Sequence, residues 1–282
     1  MDRKVLFITS IYGKLWGTEF GGRPSRERHY RESLLNILNM EPTHCVCFTS
    51  KDEYDGLCDY FYNKNNISKD LLEIRVFDLQ ESKYFHEIRN KKDLEKMKRN
   101  DRCFEIQYNK FFWYKLIDDV NDYDRVYWID AGLSHGGLFP TKFRLDNTPH
   151  GSYKISLFTP KFMEKVNNKT DDKLLLLAKN NTGKFFWSQT VPNKYYDEYN
   201  RSKHIIGGMF GGTPNMYNDF INMFDELLNN LLENEKELYM EEQIISCLYV
   251  NHIEKFITED FDDWYQRKKE DVGIKYFYKI FE

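Results

Sequence analysis

Short apolar runs alternate along the chain with longer stripes of helical period. Val5–Ile11 reads as a buried first strand, and Gly13–Gly22 as a glycine-bearing loop. Pro24 suits the first turn of a helix, where its missing N–H costs nothing, and Leu34, Leu35 and Leu38 follow at core spacing. His44–Thr49 and Leu72–Phe77 read as the second and third strands, and Lys83–Asn100 as a charged surface helix. Glu105–Val120 is amphipathic, with Trp113, Leu116, Ile117 and Val120 on one stripe. Arg125–Ile129 is a strand running into Asp130, and Tyr153–Phe158 is another. The segment Asn167–Asn181 is polar at both ends around Leu174–Leu177 and reads as an inserted loop. His204–Phe210 is a strand with a glycine pair inside it. Thr213 and Pro214 then supply an N-cap and a first helical residue for a helix to about Glu233, and Tyr239–Val250 forms a further helix.

Strands alternating with helices predict an α/β fold, a Rossmann-like, mostly parallel central sheet flanked by helices. The 282 residues fit one large α/β domain or two small ones. With no internal repeat and no low-complexity linker, the expectation is a single domain over 1–282. Hydrophobic residues at 41% supply a sizeable core, and a net charge of −4 argues against a nucleic-acid partner. The five cysteines are odd in number and contain no C-x-x-C pair, so neither a disulfide framework nor a zinc ribbon fits. Cys45 and Cys47 share one face of a strand and read as buried thiols. No stretch approaches the roughly 20 apolar residues of a membrane span, and Val5–Ile8 is too short for a signal-peptide core. The expected location is the cytoplasm, including the inner face of the membrane.

In open α/β sheets, ligands bind beyond the carboxyl ends of the strands. Three polar clusters fall at such ends. The first is Thr9, Ser10 and Tyr12, followed by Arg23, Arg26 and Arg28, whose guanidinium groups can take a pyrophosphate bidentately. The second is Asp130-Ala131-Gly132, with His135 in the turn beyond. A carboxylate at a strand exit can hold a hard divalent cation, Mn²⁺ or Mg²⁺, that neutralises a diphosphate; it can equally cap a turn. The third runs from His204 through Gly207, Gly208, Phe210, Gly211 and Gly212 to Pro214. Its glycines mark a close approach, either of a sugar or of another element. Lys110 and Lys115 precede the Asp130 strand, and Lys115, flanked by aromatics, is a candidate for the cleft. Glu241 and Glu242 open the last helix. They suit its positive N-terminal end, and either can act as base, nucleophile or hydroxyl acceptor. The apolar Ile244-Ile245 pair behind Glu242 predicts that it is the inward-facing one.

Tyr127-Trp128-Ile129-Asp130-Ala131-Gly132-Leu133 resembles the Asp-x-Asp region of GT-A glycosyltransferases. Trp128–Leu133 with Gly137-Leu-Phe-Pro140 resembles more closely the HtrL/YibB, WlaTC-like bacterial family, as do Ser25-Arg26, Tyr30, Asn109 and Lys115. That family is associated with lipopolysaccharide and lipooligosaccharide gene clusters. His204–Pro214 is similar, more distantly, to the acceptor-side block of the blood-group-type retaining galactosyltransferases. In those enzymes an acidic pair on a following helix carries the glutamate nearest the anomeric carbon; the pair here would be Glu241 and Glu242, with Glu242 the catalytic candidate. One departure stands out: Gly132 replaces the second Asp of Asp-x-Asp. Replacement ligands are His135, His204 or His252, or else Arg and Lys alone manage the diphosphate.

These resemblances imply a GT-A-like glycosyltransferase that takes a sugar from a nucleotide-sugar, by default a uridine diphosphate sugar, and gives it to a cell-surface glycan or glycolipid. Residues 1–135 would bind the donor and 136–258 the acceptor. The tail 259–282, which mixes basic residues with aromatics from Trp264 to Phe281, would touch an anionic membrane or dock on the core. The alternatives are a sugar nucleotidyltransferase, for which Gly13-Lys14 is only a fragment of the required loop, and a non-catalytic nucleotide-sugar-binding relic.

Overall fold

The computed structural model describes residues 4–12, 27–40, 43–91, 103–132, 168, 170–180, 191–195, 203–236 and 238–260. The chain divides into two compact units. One holds Val5–Asp78 and Tyr127–Asn167; the other holds Leu79–Val126 and Asn168–Asp262.

In the first unit, β1 (Val5–Ile11) leads through α1 (Glu27–Met40) to β2 (His44–Thr49). Helix α2 (Lys51–Cys58) continues into a π-helical turn, Asp59–Lys64, before β3 (Leu72–Val76). Strand β4 (Arg125–Ile129) completes the order β3-β2-β1-β4. β1 and β2 pair in parallel from Leu6 opposite His44 to Ile11 opposite Thr49, and β2 and β3 from Cys45 opposite Leu72 to Thr49 opposite Val76. Parallel strands covered on both faces need continuous apolar sequence. Accordingly Leu6, Phe7, Ile8, Cys45, Val46, Cys47 and all of Val126–Ile129 are buried. Burial pushes the Cys45 and Cys47 thiols well above the usual range, so both behave as small apolar groups.

The second unit contains α3 (Phe85–Lys91), α4 (Cys103–Phe112), β5 (Leu174–Asn180), β6 (Lys203–Gly212), α5 (Pro214–Asn234), α6 (Glu241–Asn251) and β7 (Phe256–Asp260). Its strands run in the order β6-β5-β7, with β5 antiparallel to β6 and parallel to β7. Thr213 caps α5 as expected, its hydroxyl oxygen accepting the Met216 N–H at 3.4 Å. Tyr217, Phe220, Ile221, Phe224, Leu228 and Leu231 form the buried stripe of α5 at helical spacing. Phe111 of α4 stacks on Phe224 and on Phe210 of β6, which joins the helices to the sheet.

Three elements differ from the sequence reading. Leu174–Leu177 belongs to no inserted loop: it is the first half of β5, buried between β6 and β7. Its polar flanks masked a strand too short to show a period. Phe256–Asp260 is a strand that pairs with β5, so Glu259 and Asp260, assigned from sequence to the tail, belong to the sheet. Lys51–Lys64 forms α2 and its π-helical turn, which the sequence hid because α2 buries only Glu53 and Leu57. The proposed strand 153–158, Arg23, Arg26, His135 and the tail beyond residue 260 lie outside the described residues, as do the side chains of Arg28 and His204. Among the described residues no helix is long and apolar enough to cross a membrane.

Candidate active site

The best-defined polar constellation gathers on one residue of β6. Along the β5–β6 ladder, Leu176 pairs with Phe210 and the next residue, Leu177, pairs with Ile206. Gly207, Gly208 and Met209 fall in that register break, a bulge of the kind that re-aims backbone groups. The Gly207 carbonyl accepts from Lys110 Nζ at 3.1 Å, and its N–H donates to Glu242 Oε1 at 3.1 Å. Lys110 also donates to Glu241 Oε1 at 2.8 Å. One residue thus ties α4, β6 and the first turn of α6 together. A Cβ on Gly207 would stand 2.8 Å from Glu241 Oε1, so any larger residue here would displace that carboxylate.

The end of α6 that carries the two glutamates is fixed from several sides. Gln243 Oε1 accepts the Met240 N–H at 2.8 Å, and Ser246 donates to the Glu242 carbonyl at 2.7 Å while accepting the Ile205 N–H at 3.2 Å. Tyr108 donates to the Tyr239 carbonyl at 2.6 Å. Burial, with a contribution from Glu241, holds its hydroxyl well above the ordinary tyrosine range, so it stays a donor. The more enclosed glutamate is Glu241, which is 4% exposed; Glu242 is half-buried. This reverses the sequence expectation. Register on α6 turns Glu241 to the α4 lysine, and Glu242, one residue on, to the rim.

Asp130 follows β4 directly and is half-buried, and Trp128 Nε1 donates to its Oδ1 at 2.9 Å. Ala131 and Gly132 form the buried turn beyond it. Thr9 is fully buried in β1 and Ser10 half-buried. Tyr12 is 2% exposed and donates to the Phe77 carbonyl at 2.9 Å, while Thr49 donates to the Ile11 carbonyl at 2.7 Å. These bonds lock the carboxyl ends of β1, β2 and β3, and burial raises the Tyr12 pKa far above its usual value. Lys115 pairs with Asp225 at 3.1 Å, in a group with Lys83 and Tyr84. Phe210 is a core ring, fully buried between Phe111, Phe220 and Tyr217. A Cβ on Gly212 would meet only ordinary contacts.

Lys110, Trp128 and Asp225 carry more of this arrangement than the sequence suggested. Lys110 left a readable trace: a lone cation inside the buried run Tyr108–Tyr114 demands an anionic partner. Asp225 on α5 left none. Among the described residues no group of three or more His, Cys, Asp or Glu could hold a metal ion, and Asp130 brings one carboxylate already engaged by Trp128. The described residues therefore do not compose a cation site.

No family model and no curated protein matches the chain. Solved structures do. Core-mannan synthase A from Aspergillus fumigatus, in its Mn/GDP form, superposes with a TM-score of 0.51 at 9% identity, covering 92% of this chain and 73% of that one. The mannosyltransferase Ktr4p from S. cerevisiae gives 0.51 at 8% identity, covering 92% and 68%. The fold is GT-A-like. At such identities the similarity establishes architecture, and the chemistry has to be argued from this chain's own residues.

Proposed function

We propose that the chain is a glycosyltransferase that moves a sugar from a nucleoside diphosphate sugar to a glycan acceptor. The observation that carries the reading is the Glu241–Glu242 pair seated on the bulged Gly207 of β6, within a GT-A-like fold. Transfer develops positive charge on the anomeric carbon and negative charge on the leaving diphosphate. Glu242, half-buried and oriented by a backbone N–H, is the carboxylate for the first charge. Glu241 and Lys110 position it by fixing the first turn of α6. Asp130, with Arg23 and Arg26, is proposed for the donor's ribose and diphosphate. A uridine diphosphate sugar is the default donor. A divalent cation belongs to the proposal because the Aspergillus synthase was solved with Mn and GDP; ligands beyond Asp130 would come from outside the described residues. The resemblance to the HtrL/YibB family supports a lipopolysaccharide or lipooligosaccharide acceptor, and the basic, aromatic tail supports work beside a membrane.

The test is mass spectrometry of a nucleotide-sugar panel incubated with the full chain, with and without Mn²⁺. Slow hydrolysis of one donor, lost in Glu242→Gln and Asp130→Asn, supports the reading. Donor binding with no hydrolysis and no transfer to any acceptor would mark a binding protein instead.

A further inference from the structure

The π-helical turn Asp59–Lys64 puts one residue too many into the end of α2, and such turns recur at functional sites. Here it crosses the outer edge of the sheet. Tyr62 on the turn donates to the Leu72 carbonyl at 2.9 Å, which fixes its ring beside the edge strand β3. The chain then reverses through Asn66, a non-glycine residue in the left-handed region at φ 53°. The result is an open cavity of about 470 Å³, within the size range of small-molecule sites. Tyr54, Tyr62, Asn63, Lys69 and Glu73 line it. Strands β2 and β1 separate β3 from β4, so the cavity is remote from Asp130, and it shares no residue with the Glu241–Glu242 cluster.

We propose that this cavity is a second, non-catalytic binding site for a single pyranose unit of a glycan. Two half-buried tyrosine rings supply apolar faces for the C–H face of a sugar ring, and the held Tyr62 ring lowers the entropic cost. The Tyr62 hydroxyl donates to the Leu72 carbonyl of β3. The polar rim is of mixed sign, as a polyhydroxyl ligand needs. Asn63 has an amide, and Lys69 an ammonium 5.6 Å from the Tyr62 ring centroid. Glu73 is held by Arg75 through contacts of 2.6 and 2.9 Å, which neutralises it as a charge and leaves it an acceptor. A purely apolar ligand would strand these groups, and a polyanion would meet one carboxylate for each cation.

The cavity's own residues make this site, which does not require the proposed transfer reaction. The experiment is saturation-transfer NMR on the full chain with lactose, N-acetylglucosamine and glucuronate, each at about 10 mM, the regime of weak millimolar binding. The double variant Tyr54→Ala/Lys69→Ala removes one ring and the ammonium from solvent-facing positions and leaves the fold and donor hydrolysis intact. The expected result is transfer to at least one sugar, weakened about tenfold or more in the variant, the scale of one lost aromatic contact. Excess uridine diphosphate should not displace the sugar. Transfer to none of the three, or transfer undiminished in the variant, overturns the proposal. Either result leaves the donor-hydrolysis readout of the active site untouched, so the two readings fail separately.

Discussion

Lys110 Nζ lies 2.8 Å from Glu241 Oε1, with only 6% and 5% of the two side chains exposed. A buried pair of this kind gives little net stability over an apolar pair, but breaking it strands a charge in the interior. Lys110→Met should therefore destabilise by about 3–5 kcal/mol, and Lys110→Met/Glu241→Leu by clearly less. Urea unfolding of the three proteins measures this; equal losses in the single and double variants would contradict the pairing.

Glu242 is half-buried at the rim of the same turn and accepts the backbone N–H of Gly207. Glu242→Gln should keep the fold and bind donor within a few-fold, while turnover falls by roughly a hundredfold or more. If Glu241→Gln is as well folded as wild type and just as inactive as Glu242→Gln, the division of labour between the two is wrong.

Asp130 lies beyond the end of β4 and accepts the Trp128 indole N–H. Asp130→Asn should leave the melting temperature within a few degrees and abolish donor turnover. Wild-type turnover in this variant would remove Asp130 from the site.

Gly207→Ala drives a methyl group to 2.8 Å from a carboxylate that Lys110 pins in place. The strain should cost about 1–3 kcal/mol and displace Glu241. Gly212→Ala, with contacts no closer than 3.5 Å, should be mild by comparison. Thermal melts of the two variants separate the cases.

Burial pushes the Tyr114 hydroxyl up to about 12, and it donates to the Pro214 carbonyl at 2.9 Å. A folded-state pKa above the unfolded value means that the stability it contributes is complete below about pH 10. That contribution is lost as pH rises through about 12. Tyr114→Phe should flatten the alkaline limb of a stability–pH curve and leave the neutral region nearly level.

The strands of the first unit were legible because parallel strands buried on both faces demand unbroken apolar runs, and Val5–Ile11, His44–Thr49 and Arg125–Ile129 supply them. The start of α5 was legible because Thr213-Pro214 is chemistry that only a helix N-terminus uses well. β5 was missed because Leu174–Leu177 has no period and polar neighbours; its pairing with β6 and β7, which are distant in sequence, makes it a strand. α2 was missed because a polar, nearly uncovered helix leaves no stripe.

By itself the sequence determined the α/β class, the buried thiols, the strand-end place of Asp130 and the helix-start place of Glu241 and Glu242. These follow from local pattern and local backbone chemistry. Only the tertiary structure decided which glutamate faces inward, that Lys110 rather than Lys115 meets it, and that Phe210 packs in the core. Each depends on the bulge that turns Gly207 toward α4 and α6. The register of one strand against another is a balance of contacts between residues far apart in the chain, and no local pattern records it.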